Sequence, residues 1–250
     1  MSLAGRIFKR IKKEMEFKKK FQDYQLQRFV RNKSGIEIGG PTDLFAGSLP
    51  MYQVVKQLDG CNFSINTVWE GNIAEGETYH YYSGKSGFQY ICEANELKSI
   101  ESEKYDFLLS SHCLEHCANA LKTVGEWIRV IKPRGYLLLV LPDKRFTFDH
   151  NRAVTSLQHL LDDFHNQLDE HDLTHLEEIL ELHDLDLDIP AGDITNFKKR
   201  SADNFNNRCL HHHVFDADLL VQICQYFKLK VKLQKWVEPY HQIIIAQKRS

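Results

Sequence analysis

The sequence predicts an α/β protein built on a doubly wound, mainly parallel sheet. From Ser34 onward, short apolar runs alternate with helical stretches, which is the pattern of successive β–α units. The first run ends in glycines, and the most hydrophobic run, at 136–141, ends at Pro142. A chain of 250 residues with 42% hydrophobic residues can bury a sizeable core. We therefore expect one domain over residues 34–250, preceded by a separate segment at residues 1–33.

The strands are expected where apolar runs meet turn residues. In chain order they are predicted at 35–39, 52–58, 88–92, 105–111, 136–141, 229–236 and 242–247. Asp59-Gly60 is interpreted as the stop of the second strand, and Glu238-Pro239 as the turn between the last two. Residues 118–131 have the apolar spacing of an amphipathic helix, closed by a Lys-Pro-Arg-Gly turn. A late antiparallel strand would complete the sheet.

Charge divides the rest of the chain into distinct regions. Residues 153–197 contain twelve acids and five histidines but no Lys or Arg, which indicates an insertion of one or two acidic helices before the last strands. Residues 1–33 hold eleven Lys or Arg against three acids and have a rough amphipathic helical pattern. That basic helix either packs on the domain or contacts an anionic membrane from the cytoplasmic side. Residues 34–250 together carry a net charge of −10, which argues against nucleic acid as a partner.

Targeting and redox signals are few. No apolar run reaches the roughly 18–20 residues that span a bilayer. The N-terminus has no signal-peptide pattern, so we expect a cytoplasmic protein. The six cysteines are scattered without a CxxC pair, which favours reduced thiols over a disulfide framework or a structural zinc site.

A ligand-binding turn follows the first predicted strand. Gly39, Gly40 and Pro41 form a glycine-rich turn, through which backbone groups can approach a ligand closely. Asp59 lies twenty residues beyond Gly39, a spacing that suits an acid holding ribose hydroxyls. Glu70 is the alternative for that role. An ordinary loop would also fit the turn alone.

The block from 105 to 142 carries a more specific signal. It contains the strand YDFLLSS, the turn HCLEH, the helix end EWIRVIKPRG and the strand YLLLVLP. This order resembles the central block of class I S-adenosylmethionine-dependent methyltransferases, and the resemblance covers about 35–142. It implies a Rossmann-like fold, methyltransferase activity and S-adenosylmethionine as cofactor. Further motifs are LPDK at 141–144, TFDH at 147–150, DLTH at 172–175, LHD at 182–184 and LHHHVF at 210–215. With them the whole chain is similar to a bacterial group associated with surface-glycan synthesis, which implies O-methylation of a sugar or glycan-linked acceptor.

The resemblance also implies roles for particular residues. Glu37, Gly39 and Gly40 would lie beside the methionine part of the cofactor, and Asp59, or else Glu70, would hold the ribose. The remaining contacts would come from Glu93 and Ala94 at the adenine, and from Ser110, Ser111 and His112 at the cavity floor. Two departures bear on this match: Pro41 removes one backbone donor from the turn, and Arg134 replaces a glycine on the far side of the sheet.

Transfer of a methyl group to a hydroxyl requires an aligned acceptor and removal of a proton, a task that suits histidine. His150 follows the fifth strand, with Asp149 beside it as a residue that could orient a ring. His211 and His213 are the other catalytic candidates, and in an extended segment both would point to the same side. Hydrogen-bonded structural histidines are the simpler interpretation of each.

Three alternatives remain open at this stage. His171 and His175 are four residues apart, with Glu178 next along the same helical face, which is a possible metal-binding set. Such spacing is common in acidic helices, so no metal ligand is assigned. The acceptor could instead be another small molecule, such as a quinone-like ring or a carboxylate. The altered glycine turn also leaves room for a binding module without turnover.

Overall fold

The computed structural model describes residues 23–250, which form an eight-stranded sheet and a separate two-stranded ribbon. The strands are β1 (Ser34–Ile38), β2 (Gln57–Asn62), β3 (Asn66–Thr67), β4 (Gly71–Asn72), β5 (Gly76–Tyr82), β6 (Lys85–Ile91), β7 (Tyr105–Ser111), β8 (Ile131–Pro142), β9 (Lys230–Val237) and β10 (His241–Gln247). The order across the large sheet is β5-β6-β2-β1-β7-β8-β10-β9, and β3 pairs with β4.

The centre of the large sheet is parallel and both of its edges are antiparallel. β6, β2, β1, β7 and β8 run in one direction, whereas β5 pairs with β6, and β10 with β8 and β9, in antiparallel fashion. Ile38 at the end of β1 is in register with Cys61 in β2 and Ser110 in β7. The carboxyl ends of the parallel strands therefore meet at one edge, where sheets of this kind bind ligands. The predicted fold class is confirmed.

The helices are α1 (Ala120–Val130), α2 (Leu157–His165), α3 (Leu176–Leu182), α4 (Ile194–Ala202), α5 (Asn204–Asn207) and α6 (Ala217–Tyr226). α1 forms because its apolar residues share one side and the Asn119 side chain caps its first turn by accepting from Lys122 N at 3.0 Å. α1 and α6 bury Trp127 and Ile223 in one core on one face of the sheet. A second core on the opposite face contains Tyr52, Tyr79 and Phe107.

The second strand is the main error of the sequence-based prediction. It lies at Gln57–Asn62 rather than 52–58, because Asp59 is compatible with a strand interior. The Asp59 carboxylate accepts from Phe88 N at 3.1 Å and from the Tyr105 hydroxyl at 2.7 Å. Gly60 belongs in this strand because a Cβ there would lie 2.2 Å from the Tyr79 ring. The prediction also missed strand β5.

The charged regions are described in part. Residues 153–197 contain α2, α3 and the start of α4. Most of the basic segment, residues 1–22, lies outside the described residues, while Leu26, Phe29 and Val30 in its described part are buried in the second core. Across residues 23–250, no helix has the length and apolar character needed to cross a membrane. All six cysteines are free.

Candidate active site

A cavity of about 630 Å³ opens at the carboxyl edge of the parallel strands. That volume is within the range of small-molecule sites. One wall comes from the ends of β1, β2, β6 and β7, and contributes Gly39, Asn62, Glu93 and Ser111. The opposite wall comes from residues 143–216. Its members are Phe148, Glu170, Asp188, Arg200, Arg208, Cys209 and His211.

The glycine turn after β1 is tightly packed against its surroundings. Gly39 lines the cavity with φ +82°, and a Cβ there would lie 3.3 Å from the Cys113 Cβ. A Cβ on Gly40 would lie 2.3 Å from the carboxyl carbon of Glu37. Gly40 and Glu37 do not themselves line the cavity. Glu37 packs against the turn at Gly40 instead.

Glu37 is a buried carboxyl group with an unsatisfied oxygen. Its Oε2 accepts from the hydroxyls of Tyr52 at 2.6 Å and Tyr79 at 2.7 Å. Its Oε1 has no hydrogen-bond partner among the described residues. Burial raises the pKa of Glu37 to about 7, against the opposing effect of the two tyrosine hydroxyls. The turn above it therefore contacts a carboxyl group that can carry a proton near neutral pH.

The two acids considered for the ribose occupy different places. Asp59 lies inside β2, away from the cavity lining. Glu70 lines the cavity, where burial, assisted by the negative charge of Asp43, raises its pKa. Asn62, which the sequence analysis did not single out, also lines the cavity and accepts from the Trp69 indole at 3.0 Å. β2 ends at Asn62, whereas the predicted strand ends at residue 58. A correct strand end would have indicated Asn62 as a cavity residue.

The remaining predicted contacts divide between the cavity surface and the layer beneath it. Glu93, Ala94, Ser111 and His112 line the cavity, whereas Ser110 is buried and does not. The Ser111 hydroxyl is buried without a hydrogen-bond partner among the described residues.

His112 is held in a strained backbone conformation beside the cavity. Its φ is +50°, and its Nε2 lies 2.9 Å from Nδ1 of His241. Burial, together with the nearby His241, lowers the pKa of His112 to about 3, so its ring is neutral.

Glu93 forms an ion pair of 2.6 Å with Arg208 on the opposite wall. The two walls are thus joined across the cavity.

His211 is the predicted catalytic histidine that reaches the cavity. Its Nδ1 lies 2.5 Å from Oδ2 of Asp149. Asp149 also accepts from Arg152 at 3.1 Å. Against the opposing effect of burial, His211 and Arg152 lower the pKa of Asp149 to about 2. Although burial opposes protonation, the Asp149 carboxylate raises the pKa of His211. Asp149 therefore orients a ring, as expected, but that ring belongs to His211 rather than His150.

Glu115 and His116 lie next to His211. One potential ligand atom from each of the three residues lies within 4.8 Å of the others. The Glu115 side chain is buried, and neither of its carboxylate oxygens has a hydrogen-bond partner among the described residues. Burial raises its pKa to about 7. Burial, with the charge of nearby His211, lowers the pKa of His116 well below its usual value. This cluster was not predicted.

The other two catalytic candidates lie outside the cavity lining. His150 pairs with Asp184 at 2.8 Å. His213 is buried near His159 and His175, in a second group with ligand atoms within 4.8 Å of one another. His211 and His213 therefore contact different groups.

The histidine pair proposed from helical spacing is also separated. His171 stacks on Phe205, with ring centroids 3.9 Å apart. His175 instead lies 3.0 Å from His159, measured between their Nε2 atoms. His175 only begins α3, so the two rings do not share a helical face.

The charge of the cavity suits a sulfonium nucleoside. Five carboxylate residues and two arginines line it, which gives a negative balance around a cationic ligand. Those carboxylates are Asp43, Glu70, Glu93, Glu170 and Asp188. The unpartnered Ser111 hydroxyl adds a polar group at the cavity floor. These residues fit S-adenosylmethionine, which supplies an electrophilic methyl group when it is bound.

The chain shares its fold features with known proteins. A family model described as a methyltransferase domain matches residues 9–188. A search of curated proteins finds no significant match. A SAM-dependent methyltransferase from Aquifex aeolicus is 12% identical, with 90% of this chain and 87% of that chain covered and a TM-score of 0.46. A 1,6-didemethyltoxoflavin-N1-methyltransferase from Burkholderia thailandensis, solved with 1,6-didemethyltoxoflavin and S-adenosylhomocysteine, is 9% identical, with 88% and 72% covered and a TM-score of 0.49.

The family model covers well over half of the chain, including the glycine turn and the strands that carry the cavity. The chain therefore belongs to the methyltransferase-domain family and is a class I S-adenosylmethionine-dependent methyltransferase.

Proposed function

We propose that this methyltransferase transfers its methyl group to a hydroxyl of a sugar or glycan-linked acceptor. The observation that carries the proposal is the polar character of the wall opposite the glycine turn. Phe148 provides one aromatic surface there, while Glu170, Asp188, Arg200 and Arg208 provide charged hydrogen-bonding groups. A polyhydroxylated acceptor can add hydrogen bonds to these charged groups, whereas a flat apolar ring cannot.

The cofactor is proposed to lie against the wall formed by the ends of β1, β2, β6 and β7, hereafter the cofactor wall, and the acceptor against residues 143–216, hereafter the acceptor wall. Gly39 would adjoin the methionine part of the cofactor, with Glu37 packed against the turn at Gly40. We assign the ribose hydroxyls to Glu70 rather than Asp59, because Glu70 lines the cavity and Asp59 is already engaged inside the sheet. Glu93 and Ala94 would contact the adenine, and Ser111 and His112 the cavity floor, with Ser110 beneath them.

His211 is proposed to contact the reacting hydroxyl. Asp149 fixes its ring through Nδ1, so Nε2 is the nitrogen available to the acceptor. The hydroxyl oxygen would gain the methyl group and give its proton to Nε2 of His211, while the electron pair of the broken carbon–sulfur bond stays on sulfur. The protein aligns the acceptor for this in-line displacement.

A panel of acceptors tests the proposal. The purified chain is incubated with S-adenosylmethionine and sugar nucleotides, free sugars or glycans, and in parallel with catechols, quinols and carboxylic acids. We expect methylated products only from the sugar-containing acceptors, detected by mass spectrometry and located by NMR. Turnover confined to a quinol or a carboxylic acid would refute the acceptor class and leave the methyltransferase assignment intact.

We also propose that residues 1–33 bring the enzyme to the cytoplasmic face of an anionic membrane. The support is their net charge of +8, set among apolar residues such as Ile7, Phe8 and Ile11. Co-sedimentation with phosphatidylglycerol vesicles should exceed that with phosphatidylcholine vesicles and should decrease at high salt. Equal sedimentation with both vesicle types would contradict this location.

A further inference from the structure

Three side chains beside the cavity offer metal-ligand atoms to one small region. Glu115, His116 and His211 each contribute one such atom, all within 4.8 Å of one another. His116 and His211 line the cavity, and Glu115 is buried behind them. Two imidazoles and one carboxylate are a donor set that suits divalent transition metals.

Both imidazoles are held in the orientation that metal-binding histidines require. The Nδ1 atom of His116 donates to the carbonyl oxygen of Leu210 at 3.0 Å. The Nδ1 atom of His211 donates to Asp149 at 2.5 Å. These contacts leave the lone pair of each ring on Nε2, and a carboxylate behind a ligating histidine also increases its basicity.

Glu115 supplies the negative charge at this place. Its side chain is 1% exposed, and neither carboxylate oxygen has a hydrogen-bond partner among residues 23–250. Nδ1 of His112 lies 3.6 Å from Oε1 of Glu115, which is beyond hydrogen-bond distance, and that ring is neutral. A buried carboxylate without partners is costly, and a bound cation would remove that cost.

We propose that Glu115, His116 and His211 bind one divalent transition-metal ion whose open positions take two neighbouring hydroxyl oxygens of the acceptor. Three protein ligands leave such positions open, as in catalytic rather than structural metal sites. When the ion is bound, Nε2 of His211 ligates it and acts on the hydroxyl through the metal instead of contacting it directly. Coordination makes the reacting hydroxyl more acidic, so its proton leaves to water while the oxygen keeps the electron pair that bonds to the methyl carbon. The diol part of this inference rests on the proposed sugar acceptor, whereas the metal site itself does not.

Metal titration separates this site from the other histidine group. The tag-free chain is stripped with a chelator and titrated calorimetrically with Zn²⁺ and, separately, with Mn²⁺. We expect one equivalent to bind, with affinity at least about 10–100-fold weaker in Glu115→Gln, His116→Ala and Asp149→Asn. His175→Ala, which changes the group around His159 and His213, is the matched control and should bind as the wild type does.

Each variant is first checked for binding of S-adenosylhomocysteine, which reports an intact cofactor wall. Glu115→Gln keeps the side-chain shape and serves if His116→Ala does not fold. Absence of wild-type binding to either metal at millimolar concentration would overturn the inference. Loss of binding in His175→Ala with full binding in Glu115→Gln would also overturn it.

The metal site and the sugar acceptor can fail separately. Methylation of a sugar at an unchanged rate after complete chelation would overturn the metal site and leave the proposed function standing. One equivalent of metal at Glu115, together with turnover of only non-sugar acceptors, would refute the acceptor and retain the site.

Discussion

The two walls of the cavity are built in different ways. The cofactor wall follows from short continuous segments, since β1, β2, β6 and β7 each end at the same edge of the sheet. The acceptor wall depends on polar contacts between residues far apart in the chain, such as Asp149 with His211 and Glu93 with Arg208. Local sequence pattern therefore indicates most of the first wall, with β2 as the exception, whereas the contacts of the second wall join residues that no local pattern relates.

The largest expected effect is a loss of turnover when His211 is replaced, and it tests whether the acceptor wall is functional. His211→Gln should lower kcat by about 10²-fold or more, because the acceptor hydroxyl loses the group that acts on it. His150→Gln, at the second sequence-predicted candidate, should change kcat little, since His150 pairs with Asp184 outside the cavity lining. Steady-state kinetics, with S-adenosylhomocysteine binding as a folding control, measure both. The reverse result would move the reacting group to His150.

Glu37 allows a test of the cofactor wall through the pH dependence of stability. Its pKa is raised to about 7 by burial, from an ordinary value of 4.5. The folded state therefore binds the proton more tightly, and stability should fall as pH rises from about 4.5 to about 7, by on the order of 3 kcal/mol. Glu37→Gln should lack that contribution. Urea unfolding at several pH values measures the difference.

The matched control for this pH test is Glu126→Gln. Burial opposes ionisation of Glu126, but the stronger hydrogen bond from Arg129 lowers its pKa, so its contribution to stability has the opposite sign. Its stabilising effect should be present above pH 4.5 and be lost as pH falls below that value. An unchanged pH profile in Glu37→Gln would show that Glu37 is ionised in the folded protein.

The next largest effects are expected from replacing the two acids considered for the ribose, Glu70 and Asp59. Glu70→Ala should weaken cofactor binding by about 1–3 kcal/mol through the loss of charge-assisted hydrogen bonds. Asp59→Asn should instead lower the stability of the fold, because Asp59 accepts from Phe88 N and the Tyr105 hydroxyl inside the sheet. Calorimetry with S-adenosylhomocysteine and thermal unfolding separate the two effects. Weaker cofactor binding in Asp59→Asn at unchanged stability would restore the original ribose assignment.

The sequence predicts the cofactor wall well where one segment carries its own signal. The strand at Tyr105–Ser111 was placed at its observed bounds, and Gly39, Glu93, Ser111 and His112 reach the cavity. The second strand was misplaced because a turn-like Asp-Gly pair is stabilised by residues from β6 and β7, a contact that no local pattern contains.

Prediction of the acceptor wall was limited by the same cause. His150, His211 and His213 are equally plausible from their neighbours in sequence, but long-range contacts give each a different environment. Asp184 engages His150, Asp149 engages His211, and the carbonyl oxygen of Ala118 lies 3.2 Å from Nε2 of His213. The sequence places Glu115 and His116 only in a turn. About a hundred residues separate them from His211 in the chain, so no local pattern indicates that the three side chains come together.

Asn119 links α1 to the chain segment that forms the acceptor wall and gives the smallest expected effect. Its Oδ1 caps α1, while its Nδ2 donates to the carbonyl oxygens of Asp163 at 3.1 Å and Leu168 at 3.3 Å. Asn119→Ala should cost about 1–2 kcal/mol for the cap alone, with a further loss from the two carbonyls left unpaired. Ser156→Ala, which removes only the exposed cap of α2, should cost about 1 kcal/mol or less.

Thermal and urea unfolding of both cap variants measure whether the walls are coupled. A larger loss in Asn119→Ala, accompanied by a raised KM for the acceptor, would indicate that the link from α1 to residues 163–168 holds the acceptor wall in place. Equal losses in the two variants, with an unchanged KM, would mean that each wall keeps its position without this link. Because Asn119 does not line the cavity, a change in KM could reach the acceptor only through the position of the second wall.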